Sequence, residues 1–250
     1  MKKLLIYIFF AGTLFSSCKS YYTVNKTENQ YLKIDKKLDS IKDQKIESII
    51  APYKTKLDKK MNQIIGYADY LNKARPESTL GNWMADAIAQ KASELSGEKI
   101  DFAVQNYGGL RLAEIPAGPV TLGKMYELMP FQNFLTILTV KGNILKQFFD
   151  RMADYGGWPI SKSVKYQISG NKAKNIYING KPLDLNATYT IALSDYIANG
   201  GDRCFFLKNQ KKYLTDILIR DILIEKVKEE NAKGHHISSK IDGRVINNGK

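Results

Sequence analysis

Cysteine and histidine are scarce in this chain: among 250 residues only Cys18 and Cys204, and only His235 and His236, occur. If Cys18 is acylated, Cys204 has no partner for an intramolecular disulfide, so a packed core must supply stability. The histidines are adjacent, lie between Gly234 and Ile237, and have no carboxylates spaced around them for a two-metal site. Neighbouring histidines in a polar loop are usually solvated, so no metal and no other cofactor is expected on this chain. Long apolar runs are missing too. The longest, residues 4–15, falls well below the roughly 20 residues that a bilayer span needs. An internal repeat and a regular strand-helix alternation are also absent, which excludes solenoids and doubly wound folds.

What is present at the start is Lys2 and Lys3, then the apolar run, then Ser16, Ser17 and Cys18. This pattern reads as a secretory signal over residues 1–18, to be set aside in fold reasoning. It looks like a bacterial lipoprotein signal, in which Cys18 is the lipidation site, and implies an exported protein anchored to the cell envelope, on its periplasmic face or at the cell surface. An ordinary signal peptide with an incidental cysteine is the alternative, because Phe15 is bulkier than the strict pattern prefers. Residues 19–45 have little periodic apolar content and read as a tether. About 230 residues remain after Cys18, enough for one substantial domain.

Charge is unbalanced, with 38 Lys plus Arg against 25 Asp plus Glu. Such an excess invites a nucleic-acid reading. The lysines are nevertheless spread over helix faces and loops, without an RNP-like aromatic motif, zinc finger or helix-turn-helix signature, so no nucleic-acid partner is expected. Acidic lipid headgroups or small polyanions such as nucleotides suit the charge better.

Apolar spacing predicts a helix over 46–66 whose Ile49, Ile50, Tyr53, Leu57, Met61, Ile64 and Ile65 form one buried stripe. A second helix follows a cap at Ser78 or Thr79, with Leu80, Trp83, Met84, Ala87 and Ile88 on its inner face. Residues 99–105 read as a short buried strand running into Asn106-Tyr107-Gly108-Gly109-Leu110-Arg111, where paired glycines permit unusual backbone conformations and close approach of a ligand. A strand over 134–140 precedes a helix over 142–154. A meander then takes strands 164–168 and 175–179, joined by Ser169-Gly170-Asn171, and a further strand 189–193. The last helix is expected over 213–231, stopped by Gly234. Together these elements predict one α+β domain over 46–246, with a mixed β-sheet and packed helices, and a short tail over 247–250.

Several residues near turns carry chemistry. Phe131, after Pro130, and Tyr196, before Asn199-Gly200-Gly201-Asp202, are placed to grip a flat base from two sides. Core packing is the alternative for each ring. Asp202 offers a carboxylate to the hydroxyls of a ribose, or caps a helix. The planar fork of Arg111 suits phosphate oxygens, or a surface ion pair. Asn106 presents a donor and an acceptor, or caps a turn.

The order Asn106-x-Gly-Gly-x-Arg111, Pro130-Phe131-Gln132-Asn133 and Tyr196-x-x-Asn-Gly-Gly-Asp202 resembles the C-terminal domain of the 5'-nucleotidase family. Glu77-Ser78-Thr79-Leu80-Gly81-Asn82 and Asp242-Gly243-Arg244 look like that domain's opening and closing segments. The resemblance implies that paired aromatics hold the base, the aspartate contacts the sugar and the arginine faces the phosphate. It also marks Asn133 and Gly157 as ligand-side positions. Two departures stand out. Ala74 occupies the family's usual arginine position, with Arg75 one step later as its substitute, and Arg203-Cys204-Phe205 replaces a glycine and an aromatic after Asp202.

Full-length members carry a calcineurin-like domain with two metal ions, and the resemblance covers only the substrate-binding part. The expected role is therefore recognition of a nucleotide or nucleoside, with divalent metals supplied by a separate calcineurin-like metallophosphatase chain. A nucleotide- or nucleoside-binding lipoprotein that joins no enzyme is the alternative.

Overall fold

A computed structural model of the chain describes residues 21–29, 31, 43–97 and 99–249. The expected signal segment and the lipidation site Cys18 lie outside the described residues, as does most of the tether. Residues 50–250 form one compact unit.

Its centre is a four-stranded sheet ordered β11-β6-β10-β3, built from Lys211–Leu218, Phe134–Lys141, Thr188–Ser194 and Phe102–Ala103. The β6 strand is antiparallel to both neighbours, and β3 runs parallel to β10, so the sheet is mixed. Side chains alternate across it with period two. Leu135, Ile137, Ala192 and Ala103 enter one core, while Leu138, Val140, Ile191, Leu193 and Phe102 enter another. Burial on both faces explains why β6 reads as nearly continuous apolar sequence.

The first core is closed by the helices α2 (Thr79–Ser96), α3 (Leu122–Leu128) and α6 (Ile219–Ala232). Ser78 caps α2 by accepting from Gly81 N at 3.1 Å, one of the two caps expected. In the second core, α4 (Gly142–Asp154) packs Phe148 and Phe149 against Trp158 and Tyr166. Behind it lies a second four-stranded sheet, ordered β12-β7-β8-β9 from Val245–Asn247, Val164–Ser169, Lys172–Ile178 and Lys181–Pro182. Two short ribbons complete the unit: β1 (Ile64–Ala68) with β5 (Gly118–Thr121), and β2 (Leu71–Asn72) with β4 (Glu114–Ile115).

The α+β class is as expected, and five details of the sequence reading are corrected. The first helix, α1, covers Gln44–Met61 and has no buried residue: Ile49, Ile50, Tyr53 and Leu57 of its stripe are exposed, and Met61 at its end packs half-buried against the first core. The chain turns at Asn62 and Gln63, and β1 takes Ile64 and Ile65. Residues 211–218 are strand, because the open edge of β6 takes them as a partner despite their helix-like spacing. The strand before Asn106 shrinks to β3, and β10 leaves the meander to join the central sheet.

Cys204 is fully buried beside the central sheet, and burial pushes its thiol up to about 12. Thiolate is the reactive form, so in a Cys18→Ser chain Cys204 should react with a chromogenic disulfide at pH 8 at least about 100-fold more slowly folded than unfolded. Comparable rates would contradict the burial.

Candidate functional site

The turn after β10 organises the site. Ser194 accepts from Ile197 N at 3.3 Å and starts the short helix α5 (Asp195–Ala198). Gly200, at φ +93, then reverses the chain. A Cβ on Gly201 would sit 2.5 Å from Tyr196 Cε1, so only glycine lets that ring fold back over the turn. The Tyr196 hydroxyl donates to Asp202 Oδ1 at 3.1 Å and accepts from the Asp202 N–H at 3.3 Å. Burial and the carboxylate raise the phenol's pKa against the lowering effect of that N–H, which is the largest single contribution.

Asp202 and Arg203 both sit at positive φ, 47° and 63°. Such backbone costs about 1–2 kcal/mol per residue and must be held by its surroundings. Arg151, on α4, supplies one restraint by donating from Nε to the Asp202 carbonyl at 2.9 Å, with its guanidinium 4.2 Å from the Tyr155 ring centroid. Sequence reading missed this residue, whose position looked like an ordinary polar helix face. The exposed Arg203 side chain has no ion-pair partner among the described residues.

From the opposite side Asn106, 5% exposed, donates from Nδ2 to Asp202 Oδ2 at 2.8 Å. Its own oxygen accepts from Gln105 Nε2 at 2.8 Å. Gly109 is required here because a side chain on it would run into Gln105. That is a correction: neither Gly108 nor Gly109 has positive φ, and Gly109 is there for packing. Gly157, at φ +104, likewise makes room for the Pro76 carbonyl rather than for open space.

A basic group lies beside Asn106. The ring of Tyr107 has Arg75 Cζ at 3.8 Å and Lys73 Nζ at 4.1 Å from its centroid. Lys73 also donates to the Leu110 carbonyl at 2.6 Å. Burial lowers the Lys73 pKa, and so do the charges of Arg111 and Arg75. Three cations that repel one another, with no acid bonded to any of them among the described residues, make a surface ready for an anion. Lys73 was also missed in the sequence, although it stands two residues before Arg75.

Arg111 continues to Phe131, whose ring centroid is 5.8 Å from Arg111 Cζ. The Arg111 N–H donates to the Leu128 carbonyl at 2.9 Å, which fixes it near the 129–133 turn. That turn is tied to Tyr196 through Asp195, whose Oδ1 accepts from Phe134 N at 3.1 Å and from Tyr196 N at 2.8 Å. Phe131 and Tyr196 are 39% and 46% exposed, so neither ring is a core residue. Asn133 gives its carbonyl to Ile219 N at 2.9 Å, and its side chain has no hydrogen-bond partner among the described residues.

Most of the expected positions thus fall into two linked groups, Asn106 with Tyr196 and Asp202, and Arg75 with Arg111 and Phe131, while the Asn133 side chain bonds to neither group. A cleft of about 720 Å³ contains none of them. It lies along α2 and α6, where Asp86 is paired with Arg244 and Glu230 with Lys226.

The described residues contain no group of three or more His, Cys, Asp or Glu that could hold a metal ion. His235 and His236 approach different acids, Glu230 at 3.4 Å and Asp69 at 3.1 Å, and do not form a centre. These residues do not fit a dimetal site.

Known proteins resemble this chain in sequence and in fold. The family described as 5'-nucleotidase, C-terminal domain, matches residues 54–209. The trifunctional nucleotide phosphoesterase protein YfkN of Bacillus subtilis (strain 168) is 27% identical over 250 aligned residues, covering 91% of this chain and 16% of that protein. A 5'-nucleotidase of Vibrio vulnificus (strain CMCP6) is 26% identical over 189, covering 73% and 34% respectively. The solved 5'-nucleotidase precursor of Thermus thermophilus superposes with a TM-score of 0.70 at 26% identity, over 82% of this chain and 43% of its own. The chain spans less than half the length of each of these relatives.

Proposed function

Since this chain belongs to the family of 5'-nucleotidase C-terminal domains, we propose that it is the nucleotide- or nucleoside-recognising part of a 5'-nucleotidase-type phosphohydrolase. The base lies between Phe131 and Tyr196, the ribose hydroxyls meet Asp202, and the phosphate meets Arg75, Arg111 and Lys73. Divalent metals act from a separate calcineurin-like metallophosphatase chain. Cys18 carries the lipid that holds the protein to the cell envelope.

One observation carries the reading. The Asp202 carboxylate is held by Asn106 and Tyr196, whose ring is half-exposed, and Lys73 and Arg75 cluster on the ring of Tyr107, the residue after Asn106. Each carboxylate oxygen keeps a lone pair for a sugar hydroxyl. Stacking on aromatic side chains contributes about 1–3 kcal/mol per base.

Calorimetric titration of the chain with AMP, repeated on Phe131→Ala, tests it. Binding that weakens about tenfold or more in the variant supports the reading. Equal binding, or none to either chain, removes it. Metal-dependent phosphate release is expected only after a metallophosphatase chain is added, and turnover by this chain alone would overturn the division of labour.

Arg111→Gln separates phosphate from nucleoside. Loss of a charged hydrogen bond contributing about 1.5–3 kcal/mol should weaken AMP about tenfold or more and leave adenosine unchanged. An equal loss for both ligands would place Arg111 elsewhere.

A further inference from the structure

We infer that the bare apolar stripe of α1 is a docking face for an anionic lipid surface. Ile46, Ile49, Ile50, Tyr53 and Leu57 are 47–76% exposed. At the helical period these five side chains fall within a sector of roughly 100°. A contiguous exposed stripe of this kind marks a surface that something covers.

The flanking charges point to the occupant. In the same helical projection Lys45 and Lys56 border one edge of the stripe, Lys60 falls within it near that edge, and Lys54 borders the other edge, with Glu47 and Asp58 beyond Lys54. None of these lysine side chains has an ion-pair partner among the described residues. Lysines at both margins extend their stems along an apolar boundary and leave their ammonium groups among phosphate headgroups. A second copy of the helix fits less well. With Ile46, Ile49 and Tyr53 on a coiled-coil seam, the next two seam positions are Lys56 and Lys60. No described helix is long and apolar enough to cross a membrane, so α1 lies on the surface.

The test places a tryptophan on each side of α1 in the full chain, as Tyr53→Trp and, separately, Thr55→Trp on the opposite face. Trp83 and Trp158 are both buried, so added emission reports α1. Vesicles of phosphatidylglycerol and phosphatidylcholine with brominated acyl chains should quench and blue-shift the Tyr53→Trp signal and leave Thr55→Trp unchanged. Each lysine near an anionic surface strengthens binding roughly fivefold, so pure phosphatidylcholine vesicles should need more than about tenfold higher lipid. This readout is local to α1, and attachment through residues 4–15 does not mimic it. No quenching at position 53, equal quenching at both positions, or equal quenching by neutral vesicles overturns the inference. A blue shift without lipid that grows with protein concentration assigns the stripe to a second copy and also overturns it. So does one that appears on adding a metallophosphatase chain while lipid leaves it unquenched.

Discussion

An Asp202→Ala chain is expected to bind adenosine about 100-fold more weakly than the unaltered protein. Hydrogen bonds to a charged group contribute about 1.5–3 kcal/mol each, and every 1.4 kcal/mol is a factor of ten in affinity. Two sugar hydroxyls would lose that acceptor. Removal also strips Asn106 Nδ2 and the Tyr196 hydroxyl of their shared partner. Asn106 is buried, so part of the effect is a loss of stability of about 1–3 kcal/mol. Asp202→Asn separates the two effects, because asparagine tolerates the left-handed backbone and keeps one acceptor. It should fold well and still bind about tenfold more weakly, since the charge is gone. Adenosine affinity within twofold of the unaltered chain in both variants would mean that no sugar reaches this carboxylate.

The largest stability effect is expected at Arg244, which touches no proposed ligand position. Its side chain is 3% exposed and bridges Asp86 at 2.8 and 2.9 Å, Asp242 at 2.9 and 3.2 Å, and the Ile160 carbonyl at 3.0 Å. Burial lowers its pKa, but the two carboxylates outweigh that and raise it. Glu77 completes the clamp by accepting from the backbone N–H groups of Asp242, Gly243 and Arg244 at 3.0–3.1 Å. Breaking a fully buried ion pair on one side costs about 3–5 kcal/mol; Asp86 and Asp242 keep 31% and 30% of their side chains exposed, so the cost here is about 2–3 kcal/mol and Arg244→Met should lower the melting temperature by roughly 6–10 °C. Adenosine affinity below the transition should not change. A melting temperature within about 2 °C of the parent would show that the clamp contributes little.

That clamp also shows what the sequence could and could not reveal. Glu77, Asn82 and the Asp242-Gly243-Arg244 segment stood out as motif residues, yet nothing local says that they bind one another across more than 150 positions. Strands such as β6 and β10 were legible because burial on both faces leaves an apolar run. The 211–218 strand was not, because Tyr213, Leu214, Ile217 and Leu218 also fit a helical stripe, and only the open edge of β6 decides between the two. The stripe of α1 was legible as a pattern but misread as core, since periodicity states that a face is apolar and not what covers it.

Within the site, residues at glycine-rich turns were readable, as with Tyr196 and Asp202. Arg151 and Lys73 were not, since they act through contacts made by the fold. The two glycine pairs look alike in sequence and differ in space. Gly200 supplies a positive φ and Gly201 yields to the Tyr196 ring, whereas Gly109 only makes room for Gln105.

A crystal structure of the chain grown with AMP tests the central claim most directly. The account predicts the base stacked between the rings of Phe131 and Tyr196, with both ribose hydroxyls within hydrogen-bond distance of the Asp202 carboxylate. It also predicts the phosphate against Arg75 and Arg111. A nucleotide bound in the 720 Å³ cleft along α2 and α6, with the Asn106 to Asp202 bond undisturbed and both rings bare, would contradict it.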